Sequence, residues 1–285
     1  MSTKFLITGA NGQLAKEFIR LFNEKGIDYV AFSRQELDVS DFFSVNKIIK
    51  ETRPDIILNC SAYNNVDEAE SKFYEALKVN SLAVYNLAIA CREIRARFVH
   101  YSTDYVFDGT KGGLYLEEDL PNPLSKYATT KLVGENLLKD VLTDGYLIFR
   151  VSWVYGEGRQ NFIYKLLMWS KQQENLRVAY NEVSVPTYAG FIALKSYEAI
   201  KKGLKGLYHL VPMGYASRYE WAKKVFENLG IKKDIQPVSK EIFDLPARRP
   251  DFSAMDSSKI RADLEDEFPH WVDLLKGYLK SMGGL

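Results

Sequence analysis

The sequence predicts an α/β protein built on a doubly wound, mostly parallel β-sheet. Short apolar runs with the character of buried strands alternate with longer runs of helical period through the first half of the chain. A glycine-containing turn joins the first strand to the first helix, and the helical runs are long enough to serve as the crossovers that parallel strands require. The 285 residues allow one large domain, or one domain with a smaller part appended.

Five strands alternate with four helices up to residue 156. The predicted strands are residues 4–8, 28–33, 55–63, 97–107 and 146–156. The predicted helices are residues 16–26, 40–53, 78–94 and 127–142. Gly26 ends the first helix, because glycine readily adopts the left-handed conformation of a helix end. Ser40 and Asp41 begin the second helix, which stops before Pro54. This order favours right-handed crossovers and a parallel sheet.

The pattern loosens after residue 155. Helices are expected at residues 161–173, 217–230 and 270–280, and strands at residues 176–180 and 206–211. No repeat, low-complexity tract or linker separates these elements from the first half. We therefore expect a doubly wound domain over residues 1–155 and a smaller part over residues 156–285 that is interleaved with it rather than tethered to it.

Composition and charge exclude several classes of partner. The net charge is +1, so no electrostatic case exists for binding nucleic acid or an anionic membrane. The apolar cluster before Gly9 is too short for a signal peptide, and no later run reaches the roughly eighteen apolar residues of a membrane span. Cys60 and Cys91 have no metal or disulfide spacing, so reduced core cysteines and a cytoplasmic location are expected.

The turn GANGQLA lies where a doubly wound sheet holds a pyrophosphate. Backbone N–H groups and the positive end of the following helix face an anion at this position. Gly9 permits a tight turn, Gly12 lets a phosphate approach the backbone, and Ala15 takes the third glycine position of the dinucleotide-binding pattern. Glycines also occur in such turns for geometry alone, but the place between the first strand and the first helix favours a dinucleotide.

The end of the second strand indicates which dinucleotide is bound. An acidic residue there would hold the ribose hydroxyls of NAD, but the sequence has Ser33 and Arg34. A hydroxyl and a guanidinium suit a 2′-phosphate, so NADPH is predicted, with NADH possible. The alternative is that Arg34 is a solvated loop charge. Asp38, a few residues on, is expected near the adenine.

The helix that begins YATTKLVGE sets a phenol and an ammonium one turn apart. Tyr127 and Lys131 are four positions apart and therefore share one helix face. An ammonium beside a phenol favours the phenolate, which would lower the pKa of Tyr127 and allow proton transfer near neutral pH. The spacing is common, and the alternative is that both side chains merely cover a helix surface.

Several segments, in order, resemble those of one known family. They are the glycine turn, NCSAYNNVDEAE, VHYSTDYVFDG, YATTK, LIFRVSWVYG, VPTYAG and ARRPDFSAMDSSKI. The chain resembles the extended short-chain dehydrogenase/reductases and, within them, the dTDP-4-dehydrorhamnose reductase family, from residue 5 to about residue 260. The resemblance implies a Rossmann-like fold in which residues 1–155 bind NADP(H) and residues 156–285 mainly bind the substrate.

The resemblance also implies an activity and a catalytic set. The family reduces the C4 ketone of a 4-keto-6-deoxy sugar carried on dTDP and yields dTDP-L-rhamnose. Its catalytic threonine, tyrosine and lysine fall on Thr103, Tyr127 and Lys131. Tyr127 would protonate the alkoxide as hydride arrives, and Thr103 would orient the keto oxygen. Lys131 would hold the nicotinamide ribose and lower the pKa of Tyr127.

Further site residues are implied in the same way. The cofactor residues are Gly9, Asn11, Gly12, Gln13, Leu14, Ser33, Arg34, Asp38, Val39, Ala62, Tyr63 and Asn64, together with Tyr127 and Lys131. The substrate residues are Thr103, Asp104, Tyr105, Trp153 and Arg249. Trp153 would offer a flat apolar wall to a deoxysugar, with core packing as the alternative. From their chemistry rather than from the resemblance, the paired guanidiniums of Arg248 and Arg249 would meet the substrate diphosphate, with a solvated loop charge as the alternative.

The residues after the fourth strand favour a reductase over a dehydratase. The related dehydratases have Thr-Asp-Glu there, whereas this chain has Thr103, Asp104 and Tyr105. The glutamate needed to eliminate water is therefore missing, while reduction needs only the phenol and the hydride. Two other hypotheses stay open: a reductase or epimerase of another nucleotide sugar, and a non-catalytic regulatory subunit of the methionine adenosyltransferase beta type.

The sequence departs from the family pattern at several positions, some of which bear on oligomeric assembly. Some members form a metal-bridged dimer through glutamates. Glu17 matches one of these, but the C-terminal YLKSMGGL contains no glutamate. Ala128 stands where a glycine is usual, and Gly190 stands where a polar or acidic residue is frequent. We therefore expect no metal, and a monomer or a weak homodimer that takes a nucleotide sugar as its small-molecule partner.

Overall fold

The structure, a computed structural model, describes residues 3–282. Residues 1–2 and 283–285 lie outside it, and residues 283–285 are the last three of the C-terminal segment YLKSMGGL. The strands are β1 (Phe5–Thr8), β2 (Tyr29–Phe32), β3 (Ile56–Asn59), β4 (Arg97–Thr103), β5 (Tyr146–Val151), β6 (Val154–Tyr155), β7 (Leu176–Ala179), β8 (Val183–Ser184), β9 (Thr187–Tyr188), β10 (Gly206–His209), β11 (Ala216–Ser217) and β12 (Ile235–Val238). The α-helices are α1 (Gln13–Lys25), α2 (Phe42–Thr52), α3 (Glu68–Ser71), α4 (Phe73–Leu77), α5 (Ala83–Ile94), α6 (Lys126–Val141), α7 (Phe162–Gln172), α8 (Ala189–Lys201), α9 (Arg218–Leu229), α10 (Ser258–Leu264) and α11 (Trp271–Ser281). Short 3₁₀ helices span Asp104–Val106 and Lys240–Phe243, and a π-helical turn spans Lys78–Leu82.

The apolar runs of the first half form a six-stranded sheet. Its strand order is β10-β5-β4-β3-β1-β2, and every neighbouring pair is parallel. The chain starts near one edge with β1, moves outward to β2, and then crosses back through β3 towards the opposite edge. This reversal places a crevice at the carboxyl ends of β1 and β3, where doubly wound sheets bind their ligands. The fold is thus the Rossmann-like α/β fold that the sequence predicts.

Helices cover both faces of the sheet, because its strands are apolar on both sides. On one face, α1 and α8 pack against the strands through residues that include Phe18 and Ile192. On the other face, α2, α5 and α6 pack through residues that include Leu87 and Leu138. Successive residues of β1 alternate between these two cores, as expected for a strand buried on both sides.

The second part of the chain has a core of its own but also contributes to the sheet. Trp153, Tyr155 and Trp221 lie in an aromatic core formed with α7, α9 and α11. However, β10 pairs in parallel with β5 and forms one edge of the main sheet. The helix α8, which precedes β10, packs against α1. Residues beyond position 155 therefore supply both a strand and a covering helix to the doubly wound layer.

The structure contains helices that the sequence analysis did not predict. Residues 68–77 form α3 and α4, and Ala189–Lys201 form α8. The buried face of α8 includes the small residues Ala189, Ala193 and Ser196, which give a weak apolar signal. The helix predicted at 78–94 begins with the π-helical turn, and the strand predicted to run on to residue 107 gives way to a 3₁₀ turn after β4. Within residues 3–282, no helix has the length and apolar character needed to cross a membrane.

Candidate active site

The residues singled out from the sequence lie along the carboxyl edge of the parallel sheet. β1 ends at Thr8, β3 at Asn59 and β4 at Thr103, so the loops that follow emerge side by side. Thr8 and Asn59 are register partners, and the Thr8 hydroxyl donates to Asn59 Oδ1 at 2.9 Å. The loops after these strands therefore border one crevice.

The glycine turn between β1 and α1 packs closely against the loop after β3. Gly9 has the left-handed φ of +66°, and a Cβ there would lie 3.0 Å from Ser61 Oγ and 3.2 Å from the Cys60 backbone. The Gly12 N–H donates to the Gly9 carbonyl at 2.8 Å, and Gly12 caps α1 without a side-chain hydrogen bond. The first N–H groups of α1 are thus left to an anion in the crevice.

The other residues predicted at this turn differ in their surroundings. Asn11 is exposed, and Leu14 is half-buried in the first turn of α1. The Gln13 side chain is held from the second part of the chain, because Asn161 Nδ2 donates to Gln13 Oε1 at 2.9 Å. Asn161 is also the N-cap of α7 and accepts from the Tyr164 N–H at 3.0 Å. A residue that the sequence analysis did not single out therefore borders the candidate phosphate site.

At the end of β2, a carboxylate that the sequence analysis overlooked holds Ser33. Glu36 Oε2 accepts from the Ser33 N–H at 2.8 Å and from the Ser33 hydroxyl at 2.7 Å. These hydrogen bonds lower the pKa of Glu36. The hydroxyl that was expected to face a 2′-phosphate is thus engaged by an acidic residue three positions on, while Arg34 is exposed beside it.

Asp38 and Val39 lie where β2 leads into α2. Asp38 Oδ1 accepts from the N–H of Ser40 at 2.9 Å and from its hydroxyl at 2.7 Å. The Val39 side chain is buried in the core that α2 and α5 form against the sheet. Val39 can therefore border the crevice through its backbone, and the place of both residues beside an adenine stays a prediction.

A buried asparagine that the sequence analysis missed positions the loop after β3. The predicted cofactor residues of this loop are Ala62, Tyr63 and Asn64. Asn80, in the π-helical turn, accepts from the Tyr63 N–H at 2.9 Å and donates to the Tyr63 carbonyl at 3.1 Å. Its Nδ2 also donates to Thr130 Oγ1 at 3.1 Å. Gly134 permits this approach, since a Cβ there would overlap the Asn80 carbonyl oxygen. Asn80 therefore ties the predicted cofactor loop to α6.

The structure brings Thr103, Tyr127 and Lys131 together at the carboxyl end of β4. The helix α6 begins after its N-cap Ser125 and buries both Tyr127 and Lys131. The Thr103 hydroxyl lies close enough to the Tyr127 phenol to act on its pKa, and it donates to Asp104 Oδ1 at 3.2 Å. Lys131 Nζ donates to the Tyr101 carbonyl at 2.6 Å. A hydroxyl, a phenol and an ammonium thus share the crevice that the glycine turn borders.

Burial dominates the protonation of this group. It raises the pKa of Tyr127 above its ordinary value; the nearby Thr103 hydroxyl opposes the rise, and the charge of Asp104 adds to it. Burial also lowers the pKa of Lys131 to about 8. Lys131 is not among the groups that shift the pKa of Tyr127 in this structure, so a lowering of that pKa by Lys131 stays a prediction. The ammonium donates to the Tyr101 carbonyl, and the phenol is protonated at neutral pH.

Asp104 and Tyr105 connect this group to the second part of the chain. The buried Asp104 carboxylate accepts from Ser184 Oγ at 2.7 Å and from Ser253 Oγ at 2.5 Å. Burial raises the pKa of Asp104 to about 6. The Tyr105 hydroxyl donates to Glu182 Oε1 at 2.9 Å, and its ring meets the ring of the candidate catalytic phenol edge-on, with centroids 6.4 Å apart. Buried hydrogen bonds thus hold the second part beside that phenol.

The remaining predicted substrate residues are engaged by neighbours. Trp153 has a φ of +40° and is 8% exposed, and the guanidinium carbon of Arg218 lies 3.6 Å from the centroid of its ring. The predicted apolar wall is therefore covered on one side by a cation. Arg249 forms a two-pronged ion pair with Asp67, with distances of 3.0 and 2.7 Å. Trp153 is therefore not an uncovered apolar surface, and Arg249 is not an unpaired charge, as the sequence analysis expected.

Sequence reasoning missed most residues that the second part brings to the crevice. These are Asn161, Glu182, Ser184, Arg218 and Ser253. No local pattern marks them; Ser184 and Ser253 reach Asp104 across 80 and 149 positions of the chain. No pattern marked Asn80 either, since other polar residues, Ser81 and Asn86, lie in the same helical run.

Glu17, considered above as a metal ligand, has protein partners in the structure. Tyr188 donates its hydroxyl to Glu17 Oε1 at 3.0 Å, and Arg20 pairs with the same carboxylate at 2.5 Å. Among the residues described, no group of three or more histidine, cysteine, aspartate or glutamate side chains is arranged to hold a metal ion.

Comparison with known proteins relates this geometry to one family. The profile of the family described as RmlD substrate binding domain matches residues 3–283. The dTDP-4-dehydrorhamnose reductase of Escherichia coli (strain K12) is 35% identical over 293 residues, which cover 97% of this chain and 97% of that protein. The dTDP-4-keto-6-deoxy-D-glucose reductase of Streptomyces niveus is 32% identical over 276 residues, which cover 96% of each chain.

A solved structure agrees in fold over the same length. The dTDP-4-dehydrorhamnose reductase of Bacillus anthracis (str. Ames), in complex with NADP, matches with a TM-score of 0.95 at 33% identity, covering 99% of this chain and 100% of that one. Sequence and fold thus agree along nearly the whole chain. The chain therefore belongs to the RmlD substrate binding domain family, the family of the dTDP-4-dehydrorhamnose reductases.

Proposed function

We propose that the protein uses NADPH to reduce the C4 ketone of dTDP-4-dehydrorhamnose and so forms dTDP-L-rhamnose. The observation that carries this proposal is the meeting of Thr103, Tyr127 and Lys131 beside a glycine turn suited to a pyrophosphate. The names of the Escherichia coli relative and of the NADP-bound Bacillus anthracis neighbour support the substrate and the cofactor. The protein would then be an oxidoreductase that acts on a CH–OH group.

The reaction requires one hydride and one proton. When bound in this crevice, NADPH would supply the hydride to C4. Burial keeps the Tyr127 phenol protonated at neutral pH, so it can give its proton to the oxygen at C4. The Thr103 hydroxyl lies near that phenol and donates to Asp104 Oδ1 at 3.2 Å; with substrate bound it would donate to the same oxygen instead, stabilising the charge that develops there. Lys131 would hold the nicotinamide ribose.

Product analysis tests the substrate. The protein is incubated with NADPH and dTDP-glucose that has been treated with its 4,6-dehydratase and 3,5-epimerase. We expect dTDP-L-rhamnose and an equal amount of oxidised NADPH. Omitting the epimerase tests the substrate named for the Streptomyces niveus relative, dTDP-4-keto-6-deoxy-D-glucose. If NADPH were oxidised only in the mixture without the epimerase, the substrate would be dTDP-4-keto-6-deoxy-D-glucose instead. If NADPH were oxidised in neither mixture, the protein would not be a reductase of these sugars.

The choice of dinucleotide is expected to depend on the two charges at the end of β2. Arg34→Ala should raise the KM for NADPH about 10- to 100-fold and leave the KM for NADH unchanged, because a charge-assisted hydrogen bond to the 2′-phosphate is lost. Glu36→Gln should lower the KM for NADPH, because a carboxylate near that phosphate is removed. Arg92→Ala, at an exposed position near the end of α5, is the control. Equal effects of Arg34→Ala on both dinucleotides would contradict a contact with the 2′-phosphate.

The affinity for NADPH is expected to fall as the pH rises through about 8. Burial lowers the pKa of Lys131 to about 8, with the charge of Glu135 opposing the shift, so the ammonium is lost above that pH. Its attraction for the ribose hydroxyls weakens when the charge is lost. Isothermal titration at several pH values measures the change. Lys131→Arg keeps its charge and should shift the fall to higher pH; an unshifted fall would show that another group titrates.

We infer a matching division of labour along the chain. Residues 1–155 would bind NADPH and residues 156–285 would mainly bind the sugar nucleotide, as the position of the glycine turn in the first part supports. A monomer or weak homodimer is proposed, which sedimentation velocity over a range of concentrations would test. A cytoplasmic location is proposed because Cys60 and Cys91 are free cysteines.

A further inference from the structure

We propose that Asn161, in the second part of the chain, positions the Gln13 amide as a hydrogen-bond donor to the pyrophosphate of the bound dinucleotide. The inference deepens the proposed function and rests on it for the dinucleotide. Gln13 is the first residue of α1 and follows Gly12 of the glycine turn. Asn161 is 5% exposed and immediately precedes α7. It is a positioning residue, because it acts on the cofactor through another side chain.

Backbone groups determine which way the Asn161 amide faces. The Tyr164 N–H can only donate, and its hydrogen bond of 3.0 Å to Asn161 Oδ1 caps α7. The carbonyls of Gly156 and Gly158 can only accept, and Asn161 Nδ2 donates to them at 2.8 and 3.0 Å. The oxygen and the nitrogen of this amide are therefore each assigned by partners that have a single role.

The orientation of the Gln13 amide follows from that of Asn161. Since Asn161 presents Nδ2, the atom of Gln13 that faces it is the acceptor Oε1, at 2.9 Å. A reversed Gln13 amide would place two N–H groups face to face, so the protein selects one orientation. Nε2 of Gln13 is thus left as a donor, and within residues 3–282 it has no acceptor. The Gln13 side chain is only half-buried, so a ligand can reach this donor.

The segment 156–161 is packed against the start of α1. A Cβ at Gly158 would lie 3.4 Å from Gln13 Cγ, and a Cβ at Gly156 would lie 3.9 Å from Gln13 Oε1. Gly158 also has a φ of +139°, which glycine adopts without strain. The Tyr278 hydroxyl, from α11, donates to the Gly156 carbonyl at 2.8 Å in a buried hydrogen bond. The contact with Gln13 therefore belongs to a packed segment that two helices of the second part hold in place.

The direction of the Gln13 amide matters because the ligand at this turn is an anion. A pyrophosphate offers only acceptors, so an amide that presents its NH₂ group gains a charge-assisted hydrogen bond, whereas one that presents its oxygen is repelled. The first N–H groups of α1 act on the same anion. Orienting the amide before the ligand arrives also reduces the entropy lost on binding. The affinity for the dinucleotide therefore depends on a residue outside the range 1–155.

Two ligands that differ in the pyrophosphate test the inference without any turnover. Calorimetry measures the affinities of NADPH and of adenosine 2′-monophosphate, which has no pyrophosphate. Asn161→Asp keeps a cap for α7 but turns the Gln13 amide round, since a carboxylate only accepts; NADPH affinity should fall about 10- to 100-fold. Asn161→Ser keeps the cap and releases the amide, with an expected fall of about 2- to 10-fold. Asn228→Asp, at an exposed position near the end of α9, is the control. Adenosine 2′-monophosphate should bind every variant as it binds the wild type.

A double variant shows whether Asn161 acts through Gln13. Gln13→Met removes the amide and should weaken NADPH binding about 10-fold. Adding Asn161→Ser to Gln13→Met should cause no further loss, because the side chain that Asn161 orients is already gone. If Asn161→Ser caused the same loss in both backgrounds, Asn161 would act through the shape of segment 156–161, and the inference would be overturned.

Wild-type affinity for NADPH in Asn161→Asp would also overturn the inference, as would an equal loss of affinity for adenosine 2′-monophosphate. Thermal unfolding shows whether each variant is folded. If Asn161→Asp does not fold, Asn161→Ser decides, because it adds no charge. Absence of NADPH binding by the wild type would overturn this inference together with the proposed cofactor. Absence of reductase activity on every keto-sugar, with the NADPH affinities as expected, would refute the proposed reaction and leave the role of Asn161 standing.

Discussion

Replacing Tyr127 with phenylalanine is expected to lower kcat by about 10²- to 10⁴-fold, the contribution typical of a positioned general acid. The phenol is buried, protonated at neutral pH and close to the Thr103 hydroxyl. Phenylalanine keeps the ring and its edge-on contact with Tyr105 but has no proton to give. The affinity for NADPH should be unchanged, because the glycine turn and Lys131 are untouched. Steady-state kinetics and calorimetry on the same preparation measure the two quantities.

Tyr85→Phe is the matched control for this prediction. Tyr85 is 39% exposed on α5 and contributes nothing to the crevice, so its loss of a hydroxyl should leave kcat unchanged. Normal turnover by Tyr127→Phe would mean that the proton comes from another group. A fall in kcat together with a large loss of NADPH affinity would assign Tyr127 to cofactor binding rather than to proton transfer.

The second large effect is expected at a buried ion pair in the same helix. Glu135, one turn after Lys131, accepts from Arg150 Nε at 3.0 Å and from Arg150 Nη2 at 2.8 Å. Both side chains are almost completely buried. Glu135→Leu should lower the free energy of unfolding by about 3–5 kcal/mol, because it leaves the Arg150 charge buried without a partner. Urea unfolding followed by circular dichroism measures this change.

The double variant separates the ion pair from its neighbours. Glu135→Leu combined with Arg150→Met removes both charges and should recover most of the lost stability, since no unpaired charge then remains buried. Lys205→Met, which breaks an exposed pair with Asp144, should cost less than about 1 kcal/mol. A double variant as unstable as Glu135→Leu would show that packing around these side chains, rather than an unpaired charge, causes the loss.

The Glu135 carboxylate should also make the free energy of unfolding depend on pH. Burial alone would raise the pKa of Glu135, but the hydrogen bonds and charge of Arg150 outweigh it and hold that pKa below its ordinary value. As the pH falls, Glu135 therefore takes up a proton at a higher pH in the unfolded state than in the folded state, which favours unfolding. The contribution is present above the ordinary carboxyl pKa and is lost as the pH falls through the lowered value of the folded state.

The alternation of short apolar runs and helical runs predicted all six strands of the parallel sheet, including residues 206–211. It did not predict that β10 would lie beside β5, because the partner of a strand is chosen by packing between distant segments. The helix α8 was missed because small residues fill much of its buried face. The signal for a helix is strong only where large apolar side chains repeat with the helical period.

The sequence predicted the placement of the candidate catalytic side chains better than their protonation. The spacing of Tyr127 and Lys131 within one helix was enough to place both on one face, and both are buried there. The sign of the Tyr127 pKa shift was not readable, because it depends on the surface that other elements cover. The contact of Glu36 with Ser33 lay only three positions away and was a local signal that the analysis overlooked.

By itself, the sequence determined the six strands of the parallel sheet, the glycine turn at the end of β1 and the helix that carries the phenol and the ammonium. These features depend on neighbours within one turn or one strand, which composition and spacing describe directly. Only the tertiary structure decided that Thr103 meets Tyr127, that Arg218 covers Trp153, and that burial rather than a neighbouring ammonium governs the phenol. Contacts and burial between residues far apart in the chain depend on how whole elements pack, and no local pattern encodes that packing.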